Sequence, residues 1–275
     1  MTIARITPVI IARNAAGTLA RTLRSLETFR EVIVYENGST DATEQVAASF
    51  PNTRVITGDF IGFGPTKNRA ASFAATDWIL SIDGDEYLAP ALVDELAALP
   101  LDDAGVAYAV KRHNLLLGKL VEHGGWGDDW LVRLYNRNRC RVNNAMVHEK
   151  VEVPRDCRVV RLDGALWHEA VTDVDQFLRK ISRYSELRRG DGAKTHRPLV
   201  ILCRACWAFF RSLVLEAGFL AGWRGVLIAY ANATGTFFRH MKRYADRAVA
   251  AEQAERAFGS ALSDSPRPNL RKRLP

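Results

Sequence analysis

The sequence predicts an α/β fold in which a mostly parallel sheet carries helices on both faces and a helical region follows. Three observations lead there. Between residues 6 and 88, short β-branched runs alternate with segments of helical period. The apolar run WILSI, 78–82, ends in three carboxylates, Asp83, Asp85 and Glu86. From residue 176 onward the chain is helical in pattern, aromatic and basic.

The elements follow in order. ITPVIIARN reads as a strand, and AGTLARTLRSLETF after it spaces Leu19, Leu23 and Leu26 as one helical face. EVIVYENGSTDAT is a second strand running into a turn, with Asn37-Gly38 as breaker and Ser39, Thr40 and Asp41 as candidate caps. TRVIT, 53–57, is a third strand, PTKNRAASFAA a third helix and WILSI a fourth strand. In such sheets ligands sit at the carboxyl ends of strands, where the turns YENGSTD and DGDE both lie. Beyond residue 104 the pieces VAYAVKRHN, LVRLYNRN and HEKVEV read as further strands; DQFLRKISRYSELRR returns to helix, with Phe177, Ile181 and Tyr184 on one face. The expected organisation is a nucleotide-binding α/β domain over 1–175, a helical region over 176–262 and a basic disordered tail over 263–275.

With 275 residues, 48% hydrophobic and 25% charged, the chain can bury one large core plus an appended element. MTIARITPVIIARN has an apolar run broken by Arg5 and Arg13, which predicts no signal peptide and a cytoplasmic location. Four cysteines suit reduced thiols there, and the lone C-x-x-C of Cys203 and Cys206 reads as helix packing. The net charge of +7 conceals a split: residues 1–175 hold 19 Lys+Arg against 24 Asp+Glu, and residues 176–275 hold 19 against 7. A basic second half calls for an anionic surface, nucleic acid or membrane phosphate. No nucleic-acid-reading module is recognisable, so nucleic acid is set aside as a partner.

In extended chain, Asp83 and Asp85 point the same way, and Gly84 lets a ligand approach. Paired carboxylates at a strand end suit Mg²⁺ or Mn²⁺, which one or two carboxylates and substrate phosphates commonly hold.

At this point the sequence resembles the inverting glycosyltransferases of family 2 with the GT-A fold, of the lipopolysaccharide core β-1,4-glucosyltransferase type. The blocks TPVIIARNAAGTLARTLRSL, VIVYENGSTDAT, GFGPTKNRAA and DWILSIDGDEYL carry the resemblance, and HGGWGDDWLVRLYNR and VHEKVEV extend it to about residue 153. It implies that Glu36, where the family usually has Asp, binds the uracil or ribose of a UDP-sugar. Pro8, Arg13, Asn14 and Ser39 fall in the same nucleotide-sugar blocks, and Lys67 and Asn68 would line the pocket. Asp83 would face the ribose side and share the metal with Asp85, His168 would complete the metal shell, and Glu86 would satisfy neighbouring donors.

Inversion needs a base for the acceptor hydroxyl. Where many relatives have Glu-Asp, this chain has His148-Glu149; Glu149 is the first choice as base, Asp129 of GWGDDW the rival, and His148 the residue that orients acid or acceptor. Lys67 in a solvated first turn, Glu149 in a strand-edge ion pair and structural histidines are the alternatives, and Trp126 either stacks on a sugar ring or merely packs. Gln176, Arg179 and Lys180 miss the Trp of a Q-x-x-R-W signature, which predicts single-residue transfer. The expected partners are a UDP-sugar donor, a lipid-linked saccharide acceptor and an anionic membrane surface. Polyprenyl phosphate or a capsular oligosaccharide is the alternative acceptor, and a non-catalytic nucleotide- or nucleic-acid-binding protein the alternative class. Over 198–243, Trp207, Phe210, Phe219, Trp223 and Phe237 alternate with arginines, and the longest charge-free run is Gly225 to Phe238. This predicts helices lying in the membrane interface on its cytoplasmic side rather than a transmembrane span.

Overall fold

The structure, a computed structural model, describes residues 2–145, 149–187 and 195–263. Four parallel strands form one half of the main sheet in the order β3 (Thr53–Thr57), β2 (Val32–Glu36), β1 (Ile6–Ala12), β4 (Trp78–Asp83). The second half continues with β8 (Trp130–Asn136), β6 (Val106–Leu116), β11 (Arg158–Val171) and β5 (Glu86–Leu88). Here β8 is antiparallel to both neighbours, β11 is parallel to β6, and β5 is antiparallel to β11. β7 (Lys119–Leu120) pairs with β6, while β9 (Arg141–Val142) and β10 (Val151–Glu152) form a separate ribbon. The sheet is therefore mixed, and its parallel half is the one the β-branched runs predict.

Helices cover both faces because each has one apolar stripe. On one face α1 (Ala16–Arg24) presents Leu19 and Leu23, and α4 (Pro90–Ala98) presents Leu92 and Leu96, to Ile10, Leu80 and Ile82. α2 (Thr43–Ala48) adds Ala47 to that core. On the other face α3 (Phe63–Ser72) lays the small residues Ala70 and Ala71 against Val9, Ile33 and Ile79, leaving room for Tyr35 and Tyr135. Full burial of such side chains stabilises by roughly 1.5–3 kcal/mol each.

The C-terminal region is α5 (Val174–Leu187), α6 (Pro198–Phe210) with a π-helical turn Arg211–Leu215, a 3₁₀ turn Gly218–Ala221, and α7 (Trp223–Ser263). A third core of Leu116, Val121, Val171, Phe177 and Ile228 welds these helices to the far ends of β6 and β11. Trp126 packs edge-on to Phe177 in this core, which is the packing alternative for that ring. α7 runs to Ser263, and 264–275, most of the expected tail, lie outside the described residues.

Two expectations change here. Cys203 and Cys206 are both exposed on α6, so the C-x-x-C is not helix packing. Pro198–Leu215 is an 18-residue helix of mean hydropathy 1.7 with 17% of it buried, long and apolar enough by composition to cross a membrane. A count of charge-free runs rejects this segment because Arg204 and Arg211 interrupt it; the intervening apolar residues outweigh them in the average. One such helix is weak support for a span. Leu199, Trp207, Phe219 and Trp223 are each more than half exposed on this region.

Candidate active site

Strand register gathers the acids. β1, β2 and β4 end side by side, with Ala12 opposite Glu36 and Ile11 opposite Asp83. The chain then turns at Gly84-Asp85 and returns as β5, whose Glu86 lies opposite His168 of β11, while His168 lies opposite Asn114 of β6. Residues remote in sequence thus meet because three neighbouring strands are in register.

The Gly84 turn is held from below by α1: Thr18 and Thr22 hydroxyls donate to the Gly84 carbonyl at 2.7 and 3.2 Å. A Cβ at Gly84 would make only an ordinary contact with Ala15, at 3.4 Å, so the turn sits closely on the helix. Because the turn breaks the extended chain, Asp83 and Asp85 do not share partners, contrary to the period-two expectation. Asp83 accepts from Lys67 Nζ at 2.7 Å and Arg133 Nη2 at 2.9 Å. Asp85 faces His168 Nε2 at 3.5 Å and Lys180 Nζ at 3.6 Å.

These contacts set the charge states. Burial by itself would raise the Asp83 carboxyl, but Lys67 and Arg133 overcome it and hold it well below the usual carboxylate range. For Asp85, burial again opposes ionisation, and the hydrogen bond and charge of His168 with the charge of Lys180 bring it below its ordinary value. Both are carboxylates at neutral pH. Arg133 is driven further up, since Glu86 and Asp83 together outweigh its burial.

Lys67 is only 5% exposed, with its ammonium also 2.8 Å from Glu149 Oε1, so it is no solvated residue of a first helical turn. Glu86 is fully buried; it takes the Asp83 N–H at 3.0 Å and pairs with Arg133 and, at 3.2 Å, with Arg112. Arg112 holds Asp129 Oδ2 at 2.7 Å. The result is an alternating chain of charge, Glu149, Lys67, Asp83, Arg133, Glu86, Arg112, Asp129, running across the carboxyl edge. Sequence reading missed Arg133, Arg112 and Lys180. An arginine inside the apolar run WLVRLYN was the available signal, because a buried guanidinium requires carboxylates.

Asn114 fixes the histidine. Its Nδ2 donates to Trp126 O at 3.0 Å and Asp129 Oδ2 at 3.3 Å, both of which only accept, so its Oδ1 faces His168 Nδ1 at 2.7 Å. Nδ1 therefore carries a proton, and Nε2 faces the Asp85 carboxylate. The ring edge and the carboxylate, 3.5 Å apart, meet through a second ring proton or through a cation. One carboxylate oxygen and one imidazole nitrogen, completed by phosphate oxygens, fit a divalent ion, and the imidazole tilts the pair toward Mn²⁺ over Mg²⁺. Among the described residues no three His, Cys, Asp or Glu side chains form a metal-holding group, so Asp83 does not join Asp85 and His168 as expected. Its two oxygens are turned to Lys67 and Arg133.

The nucleotide end is built by two loops. Glu36, 4% exposed, takes the Ser39 N–H, and Ser39 Oγ accepts from Asn14 N at 3.0 Å while Asn14 Oδ1 accepts from Thr40 N at 2.8 Å. Asn14 adopts φ 52°, the left-handed region that asparagine tolerates. Burial would raise the Glu36 carboxyl, but hydrogen bonds from Ser39 and Gly38 and the Arg13 charge bring it below its ordinary value. Arg13 is exposed at the rim, and Pro8 is buried within β1 opposite Leu80. Asn68 is committed to the backbone: its amide clamps Val142 at 2.7 and 3.0 Å. His148 lies outside the described residues.

Residues 7–146 match the model of glycosyl transferase family 2. The chain is 27% identical over 252 residues to a glycosyltransferase of Rickettsia prowazekii, covering 86% of each. It is 25% identical over 250 residues to the lipopolysaccharide core biosynthesis glycosyltransferase LpsC of Rhizobium meliloti, covering 84% of this chain and 91% of the relative. Among solved structures it is similar to S. aureus TarS in complex with UDP-GlcNAc, at 15% identity and TM-score 0.45, over 88% of this chain and 91% of that one.

Proposed function

Since this chain belongs to glycosyl transferase family 2, we propose that it moves a single sugar, glucose as the first choice, from a UDP-sugar to a lipid-linked saccharide of the lipopolysaccharide inner core. The observation that carries this reading is the carboxyl edge where ionised Glu36, Asp83 and Asp85 stand together beside Lys67 and His168. The similarity to LpsC supports the acceptor class.

In this reading Glu36, with the loops of Asn14 and Ser39, accepts from the uracil or ribose. Asp83, oriented by Lys67 and Arg133, faces the ribose side. Asp85 and His168 would hold Mg²⁺ or Mn²⁺, which when bound offsets charge on the departing diphosphate. Lys180, 3.6 Å from Asp85, adds positive charge on the same side.

The acceptor hydroxyl attacks the anomeric carbon, the bond from that carbon to the diphosphate oxygen breaks with inversion, and the hydroxyl proton passes to a carboxylate. We favour the reverse order of the two candidate bases. Each pairs with a cation that a second carboxylate also holds, Lys67 for Glu149 and Arg112 for Asp129, but Lys67 is 5% exposed and Arg112 22%, so protonating Glu149 would leave the more deeply buried charge short of a partner. Asp129 is held through Oδ2 alone by Arg112 and Asn114, and Asn114 links it to His168 on the diphosphate side. Asp129 is therefore our assignment, with Glu149 a positioning residue for Lys67.

The exposed aromatic and apolar residues of α6 and the 3₁₀ turn, and the positive charge of the second half, support peripheral attachment to anionic lipid on the cytoplasmic side.

The test is transfer of labelled sugar from a panel of UDP-sugars, with Mg²⁺ or Mn²⁺, to truncated lipopolysaccharide cores and to polyprenyl phosphate. Label in the core lipid supports the reading. Label only in polyprenyl phosphate overturns the acceptor, and UDP-sugar binding without turnover on any acceptor overturns the enzyme.

A further inference from the structure

The helical region holds a second set of polar groups that sugar transfer does not use. His240 on α7 is 7% exposed, and among the described residues neither ring nitrogen has a hydrogen-bond partner. An imidazole carries at least one N–H in either protonation state, so at least one buried donor goes unmet. Its ring stacks edge-on to His196, with centroids 5.3 Å apart.

His196 leads into the N-terminus of α6. That helix has 13 residues, begins at Pro198, and its N-cap Arg197 makes no side-chain capping bond. The amide groups of its first turn therefore point outward with the positive end of the helix dipole. Thr195 Oγ1, on the same approach, is also buried without a partner. Arg204, Arg239 and Arg243 bring further positive charge to the imidazole. The carboxylates of the neighbourhood are engaged: Glu186 of α5 pairs with Lys242 at 2.9 Å, and Asp246 has contacts of its own, as do Arg239 and Arg243.

Donors and positive charge gather here, and among the described residues no acceptor is given to the imidazole or to the Thr195 hydroxyl. We infer that the α6 N-terminus, His196 and His240 form a binding site for a phosphate-type oxyanion. Such an ion would accept from the imidazole, the Thr195 hydroxyl and the first-turn amides together, the chemistry that makes helix N-termini anion sites. The imidazole's present state agrees. Burial first, then Arg239, His196, Arg204 and Arg243, push it down to about 4, and an anion reverses the charge part of that effect. Beside this site, Leu199 and Leu202 of α6 are exposed at 72% and 52%, which would set a lipid headgroup phosphate against its acyl chains. Free phosphate offers the same chemistry, and the inference does not depend on the transferase reading.

The experiment uses the full chain with histidine labelled in the ring, observed by NMR. Inorganic phosphate at millimolar concentration should shift the His240 resonance saturably and raise its pKa from about 4 by about one unit or more. His240→Phe should weaken phosphate binding about tenfold while leaving sugar transfer unchanged. Vesicles containing phosphatidylglycerol form a second arm. A shift with these vesicles in phosphate-free buffer identifies a headgroup as the source, and a shift with phosphate alone identifies a soluble anion. If neither arm moves His240 in the wild-type chain, the site is refuted, whatever the variant does.

Discussion

Replacing Lys67 by methionine removes the one charge shared by Asp83 and Glu149 while keeping most of the apolar stem. The ammonium lies 2.7 Å from one carboxylate and 2.8 Å from the other, on a side chain 5% exposed. Removing one partner of a buried ion pair costs about 3–5 kcal/mol, because the remaining charge is left uncompensated. Arg133 still holds Asp83 at 2.9 Å, which places the expected loss at the low end, about 3 kcal/mol at pH 7.5. The pH dependence supplies the sharper check. In the wild type the folded-state pKa of Asp83 is depressed, so its contribution is present above the unfolded value and disappears as pH falls through the folded one. In the variant Asp83 has lost one of its two cations, its folded-state pKa rises, and protonation on acidification relieves it. The gap between the two proteins should therefore hold near pH 7.5 and shrink as the pH falls to about 3, measured by urea unfolding at each pH. A gap that widens on acidification, or none at pH 7.5, would refute the view that Lys67 balances these acids.

The base assignment predicts that Asp129→Asn lowers turnover by roughly 10²–10⁴ with UDP-sugar affinity near normal, while Glu149→Gln is milder; steady-state kinetics showing the reverse order would restore Glu149. Asn114→Leu frees the His168 tautomer and should weaken Mn²⁺ binding by about 10–100-fold, read by paramagnetic resonance of the free ion; unchanged affinity would remove Asn114 and His168 from the metal account. Gly164→Ala would drive a Cβ into Leu92 Cα and to 2.8 Å from Leu92 N, and should cost about 2 kcal/mol or more by thermal unfolding with kinetics unchanged below the transition. The protein should sediment with anionic liposomes, come off partly in high salt and fully with detergent; equal sedimentation with neutral liposomes would favour plain helix packing.

The sequence located the parallel half of the fold and the two acidic turns because those signals are local. Leu19, Leu23 and Leu26 repeat at helical spacing, WILSI is apolar but for Ser81, and Asn37-Gly38 and Gly84 break the chain where strands end. Glu36, Asp83 and Asp85 were legible for the same reason: acids at a strand's carboxyl end have a known place in such sheets.

What each acid faces was decided only by tertiary structure. Asp83 and Asp85 part company because the turn into β5 leaves the extended chain, and no local pattern encodes that turn's exit direction. His168 and Asn114 reach Asp85 through the pairing of β5, β11 and β6, contacts across 54 and more positions whose register depends on the whole sheet. Arg133 and Lys67 are buried cations in a chain of alternating charge, and a lysine or arginine looks the same in sequence whether solvated or buried. The free energy of an ion pair depends on separation and on the surrounding dielectric, and both are properties of the packed molecule.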